Sequence, residues 1–149
     1  MNIWEKIKGI WEKTYPYVFS VATAYIIYKL HLEVSEKKMD ALLSASINVS
    51  AIFMGFLGTS KAMLLSFRSA KTHWLSKNPD GWNLLLSYFR HAIILSLLVC
   101  IASFLITGLE FKEEYINFRF YAFTLWASIL VGSLSAFYRV LSIFFTLLK

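Results

Sequence analysis

SASINVSAIFMGFLGTSKA, residues 44–62, is an apolar stretch in which small or weakly polar residues recur every three or four positions. On a helix that turns about 100° per residue, these residues fall within a sector about 80° wide. The bulky side chains of Leu43, Ile47 and Phe53 lie outside that sector. We therefore expect a helix with an apolar body and one face, here called the small face, that suits contact with another helix or with water. The small face consists of Ser44, Asn48, Ala51, Gly55, Gly58 and Ala62.

The composition indicates a lipid environment. Of the 149 residues, 58% are hydrophobic and 16% are charged, whereas about 25% of the residues in a soluble domain are charged. Four runs are nearly free of charge and approach the length of about 20 apolar residues that crosses a bilayer. None has the charged outer face of a helix in a soluble bundle. We therefore predict an all-α polytopic membrane protein, a single membrane domain over residues 1–149, with four transmembrane helices at about 15–32, 41–60, 92–109 and 120–138.

The distribution of basic residues predicts the orientation. Ten of the 15 lysine and arginine residues flank the predicted spans on the side of the two termini, and six of the nine acidic residues lie on the other side. By the positive-inside rule, both termini face the cytoplasm. The net charge of +6 then suits anionic lipid headgroups and disfavours a nucleic acid partner. A cytosolic nucleic acid or acidic protein bound to the link between the second and third spans stays open as an alternative.

Two segments outside the spans also have a helical pattern. Residues 1–13 place apolar and charged side chains on opposite sides, which predicts an interfacial amphipathic helix. A second helix continued from Met39 to about Phe67 would be about 43 Å long, more than a bilayer core of about 30 Å. With a turn predicted by NPDG at 78–81, residues 61–91 should form a cytoplasmic helical hairpin, or alternatively an elbow on the lipid headgroups. Its candidate residues for binding a partner or lipid are Lys61, Arg68, Lys71, Trp74, Lys77, Trp82 and Arg90.

The third and fourth helices carry similar stripes of small and hydroxyl-bearing residues. Lipid gives these groups no hydrogen-bond partner, so such stripes face protein or water. They are either packing seams inside one four-helix protomer, or at least one of them lines a pore or a contact between protomers. Because three stripes slightly exceed what one bundle can enclose, we expect a homo-oligomer, with a tetramer as the working stoichiometry. The stripes are Ser96, Cys100, Ser103 and Thr107 on the third helix, and Thr124, Ser128, Gly132, Ser135, Arg139, Ser142 and Thr146 on the fourth.

Eight residues are the candidates for lining a pore or a helix interface. For Arg139 two roles stay open. It is either an interfacial anchor that ends the last span, or a cation at the inner mouth of a polar face, where it would form a ring in an oligomer or bind phosphate headgroups. We expect Asn48 to form a hydrogen bond between helices. The eight are Ser44, Asn48, Gly55, Gly58, Ser128, Gly132, Ser135 and Arg139.

The sequence lacks the sets of residues that enzymes and metal sites require. It has no Ser/His/Asp set, no paired carboxylates and no glycine-rich phosphate loop. His31, His73 and His91 lack metal-ligand spacing, and Cys100 is the only cysteine. No Asp or Glu lies within a predicted span, which argues against a proton-coupled pump. We therefore expect no enzymatic activity, no cofactor and no metal.

Two short matches carry a resemblance to a known group of proteins. They are YPYV at 15–18 and the Ser/Gly-rich second helix that runs into LLSFRSAK at 64–71. With the four-span layout, they resemble small bacterial anti-phage membrane proteins such as the membrane components of the lambda Rex exclusion system and of the Kiwa system. The resemblance implies a homo-oligomer in the bacterial inner membrane that works with a cytosolic partner. Infection would then cause ion leakage and depolarisation, or recruitment of the partner. The resemblance assigns no functional residue.

The expected function is therefore that of a non-enzymatic channel or pore in anti-phage defence. An alternative is a membrane scaffold or sensor that recruits a cytosolic effector through the basic hairpin. A small transporter subunit is a third possibility, which the missing intramembrane carboxylates and the missing inverted repeat disfavour.

Overall fold

The described part of the chain is helical except at Ser35, which precedes the second helix. A computed structural model describes residues 3–30, 35–67, 79–108 and 116–148. The all-α prediction is confirmed for these residues. They form four helices in chain order, namely α1 (Ile3–Leu30), α2 (Glu36–Phe67), α3 (Pro79–Gly108) and α4 (Ile116–Leu148).

Within the described residues, three helices are long and apolar enough to cross a membrane. The segments concerned are Lys37–Ser66 of α2, Gly81–Gly108 of α3 and Phe118–Phe145 of α4. The prediction of a multi-span membrane protein agrees with this finding. α1 does not meet the same criterion, so the fourth span stays a prediction.

α1 is one continuous helix with Pro16 inside it. The sequence predicted an interfacial helix over residues 1–13 and a separate span from residue 15, but no break in helical structure lies between them. A proline inside a helix removes the backbone hydrogen bond to the carbonyl four residues earlier, and membrane helices tolerate this loss. One turn after Pro16, the hydroxyl of Ser20 donates a hydrogen bond to the carbonyl of Pro16 itself at 3.1 Å. The interfacial position of residues 1–13 stays a prediction.

α2 and α3 both extend beyond the spans that the sequence predicted. α2 begins after Ser35, whose carbonyl accepts hydrogen bonds from the backbone of Lys38 and Met39 at 3.0 and 2.9 Å. Its 32 residues make a rod about 48 Å long at 1.5 Å per residue. α3 begins at Pro79, well before the predicted span at residue 92. The tip of the predicted hairpin, residues 68–78, lies outside the described residues.

The helices pack in the order α1 on α4, α4 on α3, and α3 on α2. α2 also reaches α4, because the rings of Phe53 and Phe137 stack with centroids 3.8 Å apart. Two buried clusters result. All four helices contribute to the first, which holds Ile27, Met39, Leu43, Trp126 and Ala127, with Ala102 and Ile106 packed against it. The second joins α2, α3 and α4 through Leu57, Leu64, Trp82, Leu85, Tyr88, Phe89, Ala92, Ala136, Val140 and Phe144.

α1 approaches α4 closely at a glycine. A Cβ atom added to Gly132 would collide with Oγ of Ser20, and the backbone carbonyl of Pro16 lies 4.0 Å from the same point. The hydroxyl of Tyr15 donates a hydrogen bond to the carbonyl of Ser135 at 3.1 Å. Small residues let membrane helices approach closely enough for such contacts. Gly132 therefore determines how near α1 can lie to α4.

A branched side chain at Gly132 should loosen this contact. We expect Gly132→Val to lower the free energy of unfolding in detergent by about 1–3 kcal/mol, because overpacking shifts the neighbouring helix. Circular dichroism during denaturation measures the change. Gly108→Val is the matched control, since a Cβ at Gly108 meets nothing within 4 Å and Gly108 lies outside the small face of α2. Equal losses in the two variants would contradict the assignment of Gly132 to the α1–α4 contact.

Candidate functional site

The serines of the membrane helices lie mainly where two helices meet. Ser96, Ser103 and Ser133 are almost completely buried, and Ser46 and Ser50 of α2 are also buried. Because lipid offers no hydrogen-bond partner, a hydroxyl in this region must bond to protein. Two hydrogen-bonded groups between helices show how this requirement is met.

The first group joins α2, α3 and α4. The indole nitrogen of Trp126 donates to Oγ of Ser103 at 2.8 Å, and Oγ of Ser103 lies 2.7 Å from Oγ of Ser46. The hydroxyl of Ser46 donates to the carbonyl of Leu43 at 2.7 Å. Since an indole only donates and the Ser46 proton is directed to Leu43, Ser103 donates to Ser46. The four groups form a chain of hydrogen bonds in which each hydroxyl both accepts and donates.

The second group joins α3 to α4 nearer the other end of the bundle. Oγ of Ser96 lies 3.1 Å from Oγ of Ser133, and Ser96 donates to the carbonyl of Ala92 at 3.0 Å. The proton between the two hydroxyls therefore comes from Ser133. Ser96 and Ser103 belong to the stripe predicted on the third helix. Of its two interpretations, the structure supports a packing seam inside the protomer.

The stripe on α4 also lies largely inside the protomer. Gly132 is buried against α1, and the carbonyl of Ser135 accepts the hydrogen bond from Tyr15. The half-buried side chains of Ser128 and Ser135 donate to carbonyls one turn earlier in α4, at 2.7 and 2.8 Å. The part of the α4 stripe at Gly132 and Ser135 is thus the surface on which α1 packs.

Arg139 lies between α4 and α3. Its side chain is only 8% exposed, and its Cζ atom is 4.0 Å from the centre of the Tyr88 ring. A guanidinium over an aromatic face is attracted by the ring's quadrupole, by about 2 kcal/mol when the pair is desolvated. Neither of the two roles predicted for Arg139 included contact with an aromatic ring of the neighbouring helix. The contact connects the C-terminal half of α4 to the second cluster.

The small face of α2 differs from the other two stripes, because it points away from the rest of the protomer. A Cβ atom at Gly55 or Gly58 would meet nothing within 4 Å. The side of α2 that packs on α3 and α4, with Leu57 and Leu64, lies about 160° round the helix at 100° per residue. Thr59, beside the small face, bonds only to carbonyls of its own helix, at 3.0 and 2.9 Å. The exposed residues are Ser44, Asn48, Ala51, Gly55, Gly58 and Ala62, which is the whole small face.

The residues predicted to bind a partner or lipid have different environments. Arg90 is exposed and Lys61 is half-buried. Trp82 is only 7% exposed and belongs to the second cluster, so a partner would reach its indole only if α2 and α3 separated there. Arg68, Lys71, Trp74 and Lys77 lie outside the described residues.

Sequence reasoning missed Ser46 and Trp126. Ser46 is two positions from Ser44 and from Asn48, so it falls outside the small face. Trp126 falls within the apolar run that predicts the last span, and nothing in its local pattern indicates a hydrogen bond to another helix. A second period of three and four residues, through Ser46, Ser50, Phe53, Leu57, Ser60 and Leu64, is the signal that could have shown a second packing face on α2.

The described part of the chain contains no group of three or more His, Cys, Asp or Glu side chains that could hold a metal ion. No family model, no curated protein and no solved structure matches the chain. The small face of α2 is therefore the candidate site, because it is a surface with polar groups, in a segment long and apolar enough to cross a membrane, that the described residues leave uncovered.

The hydrogen-bonded chain should stabilise the bundle measurably. We expect Ser103→Ala to lower the free energy of unfolding by about 1–2 kcal/mol, because the buried indole N–H of Trp126 and the hydroxyl of Ser46 lose their partner. In a Trp126→Phe background, the loss of unfolding free energy caused by Ser103→Ala should be smaller by about 0.6 kcal/mol. This is the mean value for hydrogen bonds between membrane helices. Denaturation of the four proteins of this double-mutant cycle gives both values.

Thr59→Ala is the control for this cycle, since it also removes a hydroxyl from an apolar helix but breaks no bond between helices. If Ser103→Ala costs no more than Thr59→Ala, or costs the same with and without the Trp126 indole, the chain does not stabilise the bundle.

Proposed function

We propose that this protein is a non-enzymatic, homo-oligomeric channel of the bacterial inner membrane that acts in anti-phage defence. The observation that carries the proposal is the outward-facing small face of α2, which includes the amide of Asn48 in the segment Lys37–Ser66. An amide exposed to hydrocarbon lacks the hydrogen bonds it has in water, which costs free energy. Further copies of the chain, or water held between them, would supply those bonds.

The packing of the protomer favours a pore between copies over a pore within one copy. The surfaces where α2, α3 and α4 meet are filled by the two clusters, and their serines bond to one another. A ring of α2 helices, by contrast, would direct Ser44, Asn48 and the glycines toward a common axis. Small side chains there leave space, and hydroxyl and amide groups bond to water, so such a ring would enclose a polar path. A tetramer is the stoichiometry we propose.

Arg139 would then act from inside each protomer. Its guanidinium lies over the Tyr88 ring and is buried, whereas the small face of α2 is exposed. We propose that it maintains the α3–α4 contact, against which α2 packs, and that it does not touch permeating ions.

The defence role comes from the resemblance in layout and from the matches at 15–18 and 64–71. A channel that opens during infection would depolarise the inner membrane and stop phage production in the infected cell. The orientation with both termini in the cytoplasm would place the link between α2 and α3 where a cytosolic partner could control opening.

A membrane scaffold is the second candidate function. It is favoured by the extension of α2 and α3 beyond the predicted spans and by the exposed cation Arg90 near the start of α3. In this case the hairpin recruits a cytosolic effector, and the membrane part anchors it. Charge reversal at Arg68 and Lys71 should then abolish protection against phage while leaving any conductance unchanged.

Recordings from planar bilayers test the channel. The purified oligomer should conduct ions, and Asn48→Leu should lower the unitary conductance severalfold, because it replaces a water-binding amide with an apolar group. Val49→Leu is the control, since Val49 is exposed on α2 but lies outside the small face. Arg139→Leu should reduce the yield of folded protein but leave the ion selectivity of the remaining channels unchanged.

Two outcomes would contradict this assignment. A silent bilayer with an intact oligomer would exclude the channel and favour the scaffold. A change of selectivity in Arg139→Leu would place that guanidinium on the ion path.

A further inference from the structure

We infer that the α2 helices of neighbouring copies of this chain pack against each other in parallel and in register, as a left-handed coiled coil whose contact is the small face. The inference rests on the homo-oligomer of the proposed function, but it does not require that the oligomer conducts ions. Three independent features of α2 support it: the spacing of the residues, the open space around them, and the chemistry of Asn48.

The spacing along the small face alternates strictly between four and three residues. The intervals from residue 44 to residue 62 are four, three, four, three and four. This is the spacing of the two contact positions of a heptad repeat, which keeps one seam in contact when two helices cross at about 20° in a left-handed sense. Small residues at these positions let helix backbones approach closely in a membrane.

A right-handed crossing fits the structure less well. It would follow intervals of four through Ala51, Gly55 and Thr59 and would bring Phe56 into the contact. The Phe56 ring already packs against Phe137 and Phe144 of α4, at centroid distances of 5.8 and 6.5 Å. A second copy on that side would have to displace this aromatic contact.

The space beside the small face is open. A Cβ atom at Gly55 or Gly58 would meet nothing within 4 Å, whereas one at Gly132 would collide with Ser20 of α1. Gly132 thus shows how this chain uses a glycine to bring two helices together. At Gly55 and Gly58 the same kind of residue lies on a helix long and apolar enough to cross a membrane, and none of the described helices covers it.

Asn48 favours a second copy of the chain as the occupant. An amide both donates and accepts hydrogen bonds, so two asparagines can bond to each other. A single asparagine at a contact position is known to fix the register of coiled coils. In a parallel, in-register arrangement, Asn48 meets Asn48 of the neighbouring copy. An antiparallel pair that uses the whole face would place Asn48 opposite Gly58, which has no side-chain group to bond with.

The membrane itself also requires the parallel arrangement. All copies of a chain with a strong bias of basic residues insert in the same orientation. Their α2 helices therefore run in the same direction, and a parallel contact is the one that copies in a single membrane can form.

Cysteine cross-linking in native membranes tests the seam. In a Cys100→Ser background, single cysteines replace Ala51, Gly55, Gly58 or Ala62 on the small face, and Val49, Ile52, Phe56 or Met63 outside it. Gly55→Cys and Gly58→Cys add their side chains to open space, so the protomer should fold normally. We expect oxidation to give covalent dimers at the four positions on the face and little product at the other four.

Asn48→Leu, introduced into the Gly55→Cys protein, tests the amide pair. It should weaken association by about threefold to fifteenfold, the range that corresponds to measured hydrogen bonds between membrane helices. Asn48→Gln, which keeps an amide, should restore most of the cross-linking, and Val49→Leu should leave it unchanged. Equal cross-linking in Asn48→Leu and in the parent would overturn the pairing of the amides.

Other patterns of cross-linking would contradict the proposed contact through the small face. Cross-links at Ile52 and Phe56 but not at Gly58 and Ala62 would indicate a right-handed contact. Equal cross-linking at all eight positions would indicate random collision, and no cross-linking on the small face would show that no second α2 lies there. Ion conductance without cross-links would support the proposed channel and exclude this contact between α2 helices. Cross-links with a silent bilayer would support the contact and exclude the channel.

Discussion

The lack of water in the bilayer interior is the constraint on which the rest of this structure depends. A hydroxyl or amide in that region has only protein to bond with, unless a water-filled space is built for it. Ser46, Ser96, Ser103 and Ser133 meet this constraint in pairs, each across a contact between two helices. A serine is small enough to let the backbones approach, and it then supplies a hydrogen bond between them. One residue type therefore serves both the packing and the bonding of the bundle.

Aromatic side chains fill the volume that the small residues leave between the helices. Trp126 packs in the first cluster and also donates to the serine chain, so it connects apolar packing with polar bonding. The stacked rings of Phe53 and Phe137 bring α2 onto α4, and the Tyr88 ring receives the Arg139 guanidinium. Because these contacts lie at different depths along the helices, they fix the position of each helix along its neighbour.

Hydropathy and helix periodicity were sufficient to predict much of this architecture. Long charge-free runs predicted α2, α3 and α4, and the lack of a helix breaker after Ser60 predicted the end of α2 near Phe67. α1 was harder to interpret, because its tyrosines, Ser20 and Lys29 lower its hydropathy and because Pro16 does not interrupt the helix. Local patterns in the sequence predict where a helix lies and which residues share a face of it, because both depend only on residues that are close together in the chain.

Which face meets which helix could not be predicted in the same way. α2 has two faces with small or hydroxyl-bearing residues, one with Ser46 and Ser50 and the other with Ser44 and Asn48, and periodicity alone does not distinguish them. The choice depends on side chains far away in the sequence, such as Ser103 and Trp126, that are complementary to one face. Arg139 illustrates the same point, since a cation at the end of a span predicts a contact with headgroups, while its ring partner Tyr88 lies on another helix.

The glycines of α2 and α4 have a consequence for how this chain can vary. A substitution at Gly132 alters the contact between α1 and α4 within one chain and so lowers the stability of the fold. Selection against unstable proteins would therefore remove such a substitution from a population. A Cβ atom added at Gly55 or Gly58 would meet no described atom of its own protomer within 4 Å. The outer surface of α2 can therefore diverge while the fold is preserved. In the oligomer that we propose, two related chains in one cell would come to recognise only their own kind through a few substitutions on that single helix.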